Sequence, residues 1–325
     1  MNTPIVIPTR GRAGNLKSIR ALSSEVKKND LLMVVPKGEI HLHKEQPYFK
    51  DISNWWTVPD SINLTEKRFR ILRRLQKAGT ENIIFMDDDL LFSYWDKKSN
   101  SLLAVLKHQL QDEFCKRLLT SAESALVDKG YGCYSFAHAG IPTRMALLKE
   151  GTLFKTNVKC CNVFAYNIQW LLDWTDQPAF INRMWGIDTV WNIETIVRGK
   201  DLCLDYRLMM NAGFDKPVPG GAAPFRKLED VHHAFLKMML IHPGIIKRGK
   251  SGHHIHSFLR IDWRGAVAFR EKANRDKYLK RGAQNFWKEL EYQRYTSYQE
   301  FLADLKDPDE KPFFLKRIKS LKEYL

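Results

Sequence analysis

The sequence has few cysteines and no long apolar segment. Its 325 residues include five cysteines, an odd number, and no pair with C-x-x-C spacing. This argues against a disulfide framework and a structural zinc site, and it fits a reducing compartment. No apolar run approaches membrane-spanning length, and residues 4–7, followed by Pro8, are too short for a secretory signal. We expect a cytoplasmic protein.

Acidic residues are in the minority. Lysine and arginine total 52 against 37 acidic residues, which gives a net charge of +15. A field of this sign attracts a polyanion or an anionic membrane surface, so nucleic acid is a candidate partner. Basic composition also occurs in proteins that bind neither, and charge alone leaves both interpretations open. The hydrophobic fraction of 44% is sufficient for a buried core.

Short apolar segments alternate with helical ones in the first half of the chain. The predicted strands are residues 4–7, 31–35, 55–58, 82–86 and 132–139. The predicted helices run from Asn15 to about Ser24, from Asn63 or Thr65 to Lys77, and from Glu113 to Lys129. This alternation predicts an α/β fold in which helices cover parallel strands.

The second half is less periodic until residue 264. Residues 217–224 contain three prolines and two glycines, which is typical of a loop that passes close to a ligand. From Arg264 onward the chain is helical in character, with 15 basic and 10 acidic residues. We therefore predict a catalytic domain over residues 1–265 and a basic helical extension over residues 266–325.

Three consecutive carboxylates, Asp87, Asp88 and Asp89, follow the predicted strand at residues 82–86. This is the sheet edge where open α/β proteins bind ligands. Alternation along an extended chain would send Asp87 and Asp89 the same way, one toward a ribose and one toward a diphosphate-bound cation. Carboxylate oxygens suit Mg²⁺ or Mn²⁺. Most acidic triplets are solvated loops, but the apolar strand before this one favours a site.

The first predicted strand leads into the segment Pro8-Thr9-Arg10-Gly11-Arg12-Ala13-Gly14. Its glycines permit close backbone approach, and its two guanidinium groups suit a diphosphate or a pyrimidine nucleotide. Alone, this segment is a weak signal. Paired with the acidic triplet, it predicts a two-part nucleotide site.

These two segments together resemble the nucleotide-sugar half of GT-A glycosyltransferases, where a first strand ends in Pro-Thr-Arg and a later one in Asp-x-Asp. A narrower resemblance, over roughly residues 5–268, is to phage glycosyltransferases associated with TET-like hydroxylases, which modify hydroxymethylated pyrimidines in DNA. The matching segments are residues 5–15, the Arg68 helix, Asp87-Asp88-Asp89-Leu90 with Phe92, Gly220-Gly221 with Arg226, and Arg260-Ile261-Asp262-Trp263.

The resemblance implies a GT-A fold, a Rossmann-like mixed sheet flanked by helices, and a UDP-sugar donor. The residues expected at the donor are Pro8, Thr9, Arg10, Gly11, Arg12, Arg68, Asp87 and Asp88. Asp87 and Asp89 would hold Mn²⁺ or Mg²⁺. The residues expected at the acceptor are Trp185, Gly220, Gly221, Arg226 and Arg260.

Asp188 is the candidate catalytic base. An inverting transfer needs a carboxylate to take the proton of the acceptor hydroxyl, and residues 184–191 resemble the element that supplies it, although Ile187 replaces an acidic residue. A retaining transfer needs no such base. The alternative role for Asp188 is the N-cap of a helix that begins after it.

Histidines cluster late in the chain, and His256 or His254 would complete the metal shell. Ordinary surface histidines are the competing interpretation. The leading hypothesis is a metal-dependent transfer from a UDP-sugar to a 5-hydroxymethylpyrimidine in DNA, with 5-hydroxymethylcytosine as the expected base. The alternatives are a GT-A enzyme with a glycan or lipid-linked acceptor and a DNA-binding protein without catalysis.

Overall fold

The computed structural model describes residues 3–105, 108–139, 142–181, 186–211, 228–249 and 259–325. The chain divides into two compact units. The first, here called the sheet unit, comprises Met1–Trp174 and Asp201–Pro224. The second, the helical unit, comprises Thr175–Lys200 and Phe225–Leu325. The boundaries of these units differ from the predicted division at residue 265. The assignment of residues 1–265 as a catalytic domain and residues 266–325 as an extension stays a prediction.

The described residues of the sheet unit form a ten-stranded mixed sheet. Its strands are β1 Ile5–Pro8, β2 Leu31–Pro36, β3 Asn54–Val58, β4 Asn82–Met86, β5 Leu91–Asp96, β6 Ser101–Ala104, β7 Cys133–His138, β8 Phe154–Thr156, β9 Val163–Asn167 and β10 Leu202–Asn211. Their order is β3-β2-β1-β4-β9-β7-β10-β5-β6, and β8 pairs with β10. The first four strands are parallel, as predicted. The antiparallel strand β9 between β4 and β7 makes the sheet mixed.

The helices of this unit are α1 Ser24–Asn29, α2 Ile40–Lys44, α3 Leu64–Lys77, α4 His108–Glu123, α5 Pro142–Lys149 and α6 Ile168–Thr175. The predicted α3 is confirmed, and the Asn63 side chain caps it by accepting from Glu66 N at 2.8 Å. The helix predicted from Asn15 to Ser24 is wrong. That segment has a short 3₁₀ turn at Ser18–Ala21, and α1 starts afterwards with Ser23 as its cap.

The core of the sheet unit lies around the central parallel strands. All residues of β1, β2 and β4 are buried, which explains why their sequences are continuous apolar runs and do not alternate. On one side, Phe92, Phe114 and Phe136 pack with ring centroids 5.0–6.2 Å apart. Because these strands are buried along their whole length, packing fixes the positions of their carboxyl ends. The acidic triplet begins at the carboxyl end of β4.

The helical unit contains α7 Pro178–Ile181, α8 Ile187–Val197, α9 Leu228–Ile241, α10 Trp263–Ala268, α11 Lys272–Tyr292, α12 Tyr298–Ala303 and α13 Lys311–Lys322, with the hairpin β11 Ile246–Arg248 and β12 Leu259–Ile261. The predicted helical C-terminal region is confirmed. This region packs against α9, and a buried ion pair joins Lys237 of α9 to Glu310. Among the described residues, none of the helices combines the length and apolar character that a membrane crossing requires.

Candidate active site

The acidic triplet, Asp87 to Asp89, occupies a turn directly after β4, and main-chain hydrogen bonds hold that turn from two directions. Asp87 N donates to the carbonyl of Asn162 at 2.8 Å. The carbonyl of Asp88 accepts from Lys17 N at 2.9 Å and from Ser18 N at 3.3 Å. The Ser18 hydroxyl donates to the carbonyl of Asp87 at 2.5 Å. The triplet is therefore fixed to the segment that follows β1 and to the start of β9.

The side chains of the triplet alternate in exposure as the sequence predicts, with Asp88 buried between the more exposed Asp87 and Asp89, but their cation partners are divided differently. Arg12 donates to Asp88 and forms an ion pair with Asp89 at 3.1 Å, so these two neighbours share one cation. Asp87 has other partners. Exposure therefore separates Asp88 from the other two carboxylates, whereas the shared cation joins Asp88 to Asp89.

Asp88 is the structural member of the triplet. Only 4% of the residue is exposed. Burial raises the pKa of its carboxyl, and the nearby charge of Arg12 opposes that rise. For Arg12, burial lowers the pKa, but Asp88 and Asp89 outweigh it and the net pKa is raised. Asp88 and Arg12 therefore stabilise each other's charge. They also tie residues 8–14, here called the first-strand segment, to the triplet.

Arg68, on α3, forms an ion pair with Asp87, the first carboxylate of the triplet. Its terminal nitrogen lies 3.2 Å from Asp87 Oδ1, and its side chain is 2% exposed. The guanidinium lies 4.9 Å from the Phe164 ring centroid and 5.8 Å from that of Phe85. Such stacking suits the planar, weakly hydrated guanidinium and keeps it charged inside the protein. Arg68 is thus a fixed, buried cation beside Asp87. This position gives a physical basis for the donor role that the sequence predicts.

Asn162 is a site residue that the sequence reasoning missed. Its amide donates to Asp87 Oδ2 at 2.9 Å, and its Oδ1 lies 3.2 Å from Nε2 of His138 at the end of β7. Asn162 has a φ of 64°, a left-handed conformation that asparagine tolerates better than most residues. An Asn immediately before an apolar strand was the available signal, but it is too common to identify a site.

The first-strand segment is ordered by polar contacts with α3 and the β3–α3 connection. Lys67 donates to the carbonyl of Thr9 at 2.9 Å in a buried position. Burial, with the charge of Arg10 acting in the same direction, lowers the pKa of Lys67 to about 8. Arg10 donates to the carbonyls of Asp60 and Ile62, the latter at 3.2 Å. Backbone carbonyls thus position Arg10 and Lys67, whereas carboxylates position Arg12.

Glycine serves the expected purpose at one position of this segment. Gly11 has a φ of +66°, which favours glycine, and its N–H donates to Glu39 Oε2 at 2.6 Å. Here the Glu39 carboxylate accepts from this N–H. A carboxylate acceptor at this point shows that the backbone here suits an anion.

The triplet offers two accessible carboxylates. The Asp87 and Asp89 side chains are 28% and 21% exposed, against 6% for Asp88. No cluster of three or more His, Cys, Asp or Glu residues suited to a metal ion occurs in the described part of the chain. Asp87 and Asp89 supply the hard oxygen ligands that Mg²⁺ or Mn²⁺ takes, and the remaining ligands would have to come from phosphate oxygens or water. The residues present fit a cation shared with a diphosphate.

Asp188 is the second residue of α8, in the helical unit. Gly186, with a φ of 75°, occupies the N-cap position, so the N-cap role considered for Asp188 is wrong. Asp188 lies in the first turn, where the positive end of the helix dipole stabilises a carboxylate. Its assignment as the base stays a prediction.

Of the five residues expected at the acceptor, the structure describes Arg260. Trp185, Gly220, Gly221 and Arg226 lie outside the described residues, as do His254 and His256, which were expected at the metal. Arg260 is exposed on β12 and faces Lys247 across the β11–β12 hairpin. Its role at the acceptor stays a prediction.

Comparison with known proteins gives a family. The model of the family TAGT, "TET-Associated Glycosyltransferase", matches residues 3–211, which include the triplet and the first-strand segment. No curated protein matches. Similar solved structures are TarS 1–349 of S. aureus with UDP-GlcNAc (11% identity, TM-score 0.48, 100% of this chain and 81% of that chain) and glucosyl-3-phosphoglycerate synthase of Mycobacterium tuberculosis with Mg²⁺ and UDP (13%, 0.44, 76% and 83%). Because the family match covers more than half of the sequence, this chain belongs to the TET-associated glycosyltransferases and is a glycosyltransferase.

Proposed function

We propose that this glycosyltransferase moves a sugar from a UDP-sugar to 5-hydroxymethylcytosine, or another 5-hydroxymethylpyrimidine, in DNA. The observation that carries the donor half is the pair of ion contacts that join the triplet to two other segments. Arg12 links it to the first-strand segment, and Arg68 links it to α3. Three parts of the chain far apart in sequence thus present charge at one sheet edge.

The donor chemistry requires charge stabilisation, because the departing diphosphate gains negative charge as the bond to the sugar breaks. Asp87 and Asp89 would hold Mn²⁺ or Mg²⁺, which when bound neutralises part of that charge. Arg12 and Arg68 orient these two carboxylates by direct contact. Arg10 and the backbone of Pro8, Thr9 and Gly11 would line the nucleotide pocket.

The DNA acceptor rests on two supports, the TET association in the family's description and the net charge of +15. A 5-hydroxymethyl group projects into the major groove, where a protein can approach it directly or after flipping the base. Asp188 would accept the proton of that hydroxyl, and Trp185, Gly220, Gly221, Arg226 and Arg260 would contact the acceptor. His256 would add a ligand to the metal.

The test is incubation of the protein with UDP-sugars, Mn²⁺ and matched duplexes that contain cytosine or 5-hydroxymethylcytosine, followed by mass spectrometry of the nucleosides. We expect the mass of a hexose to appear on the hydroxymethylated nucleoside only. Transfer to glycans or lipid-linked acceptors, with none to DNA, would favour the second enzyme hypothesis. Calorimetry without metal-dependent UDP binding, together with retained DNA binding, would favour a non-catalytic DNA-binding protein.

A further inference from the structure

Helix α3 carries cations on two faces. Lys67 and Arg68 are buried and face the donor site. A second set, all exposed, consists of Arg70, Arg73, Arg74 and Lys77. Their spacing of three, four and seven residues from the first places them along one side of the helix. The donor site described above uses none of this second set.

The second set faces an open groove of about 350 Å³ between α3 and β3. Its other wall is the edge strand of the sheet, from Trp56 to Pro59. The Arg74 guanidinium lies over the Trp56 ring, 3.8 Å from its centroid. This stacking orders a long side chain before any ligand arrives, which reduces the entropy lost on binding. We call this surface the α3 groove.

Basic residues outnumber acidic ones on the exposed side of α3. Glu66 is the one acidic residue of α3, and it pairs with Arg70 at 2.8 Å. This pair is exposed, so water and salt weaken it. Arg73, Arg74 and Lys77 lie on the same face, and α3 contains no second acidic residue. The surface therefore presents a concentrated positive field beside an aromatic ring.

We propose that the α3 groove binds the sugar-phosphate backbone of the acceptor DNA, an inference that rests on the proposed function. Seven residues of α-helix separate Arg70 from Lys77, a rise of about 10.5 Å, which matches the rise of about three nucleotides in one strand. Arginine and lysine on such a line can each contact a phosphate. The stack of Arg74 on Trp56 holds one of these guanidinium groups at the groove wall.

The α3 groove is joined to the donor site by one short segment of chain, residues 59–63. Pro59 lines the groove. Asp60 and Ile62 give their carbonyls to Arg10 of the first-strand segment. DNA held in the groove would thus lie against residues 59–63, which the first-strand segment also contacts. All of these residues belong to the same compact unit.

The experiment compares the parent with the double variant Arg73→Gln and Arg74→Gln. The matched control, Lys97→Gln and Lys98→Gln, removes the same charge from the exposed turn that follows β5, at the end of that strand away from the triplet. Fluorescence anisotropy with a labelled duplex containing 5-hydroxymethylcytosine, at several KCl concentrations, gives Kd and its salt dependence. Calorimetry with UDP and a thermal melt check the donor site and the fold.

We expect the groove variant to bind DNA roughly tenfold more weakly, with a salt slope smaller by about 1.8, since each phosphate contact contributes about 0.9. The control should change far less. Equal losses in both variants, or an unchanged slope in the groove variant, would overturn the inference. If the parent modifies the duplex while the groove variant binds as it does, only this inference fails. If the parent neither binds nor modifies the duplex, the proposed function fails with it.

Discussion

The cations of the donor site and those of the α3 groove differ in burial, although both sets include residues of the same helix. Lys67 and Arg68 are each 2% exposed and have fixed partners, the carbonyl of Thr9 and the carboxylate of Asp87. Arg73 and Arg74 are exposed to solvent. Net charge alone therefore does not indicate what a cation does in this protein, whereas its surroundings do.

The physical reason is the dielectric environment. Away from water, an ion pair is strong and the loss of one partner leaves a charge that solvent cannot stabilise. At the surface, water and salt screen the same charge, and its contribution to folding is small. Substitutions in the donor site should thus affect stability and catalysis, whereas those in the α3 groove should affect the binding of a polyanion.

The largest expected effect is that of Arg12→Met. The substitution leaves the buried Asp88 carboxylate without its cation, and we expect about 3–5 kcal/mol lower free energy of unfolding at neutral pH. Burial already raises the pKa of Asp88 in the folded state. A raised folded pKa means that stability falls as pH rises through it, and removal of Arg12 raises it further. The deficit should therefore be smaller at about pH 5 than at about pH 7.5, as measured by urea unfolding.

The control for Arg12→Met is Arg70→Met, because Arg70 is also ion-paired but 48% exposed. Its loss should cost about 1 kcal/mol or less, with little dependence on pH. Equal destabilisation by the two substitutions would show that burial does not distinguish the two sets of cations.

Asp89→Asn should have the next largest effect, on transfer. The variant keeps the size of the side chain but removes the negative charge that would hold the cation, and a loss of about 10²–10³ in kcat is expected. Steady-state transfer of the sugar at saturating donor and Mn²⁺ measures it. The exposed Asp128→Asn is the matched control, and a comparable loss there would contradict a specific role for Asp89.

Asn162→Gly should lower kcat by about tenfold, since Asp87 would lose one of the groups that orient it. Glycine accepts the left-handed backbone of Asn162, with its φ of 64°, so the fold is spared. Asn100→Gly serves as the control, because Asn100 also has a left-handed backbone, with a φ of 50°, but is exposed and lies outside the donor site. This prediction sharpens the comparison, because a neutral residue of the donor site would affect catalysis while two full charges of the α3 groove leave folding intact. Unchanged kcat would show that Asn162 does not position Asp87.

The smallest expected effect is on the stability of the double variant Arg73→Gln and Arg74→Gln. Exposed helix positions that change to another good helix former alter the free energy of unfolding by about 0.5 kcal/mol or less. Thermal unfolding of parent and variant at equal ionic strength measures the difference. A loss as large as that of Arg12→Met would mean that these arginines hold the fold together, which would break the distinction between the two regions.

The sequence led to the donor site but not to its internal contacts. The strand at Asn82–Met86 was predictable as a continuous apolar run, and the helix α3 was predictable from its periodic apolar positions and from Asn63 as a readable cap. The grouping of Asp87 with Asp89 was also predictable, since both are more exposed than the buried Asp88 between them. Their cation partners were not predictable, because Arg12 and Arg68 lie far from the triplet in the sequence.

The sequence by itself determined the parallel strands at the start of the sheet, the acidic triplet at the end of one of them, and membership of a glycosyltransferase family. These depend on local patterns, which hydrophobic periodicity and motif spacing record directly. Tertiary structure alone decided that Arg12 pairs with Asp88 across 76 residues and that Asn162 reaches Asp87 across 75. It also decided which cations of α3 are buried. Such choices depend on how distant segments pack, and no window of sequence contains both partners of a long-range contact.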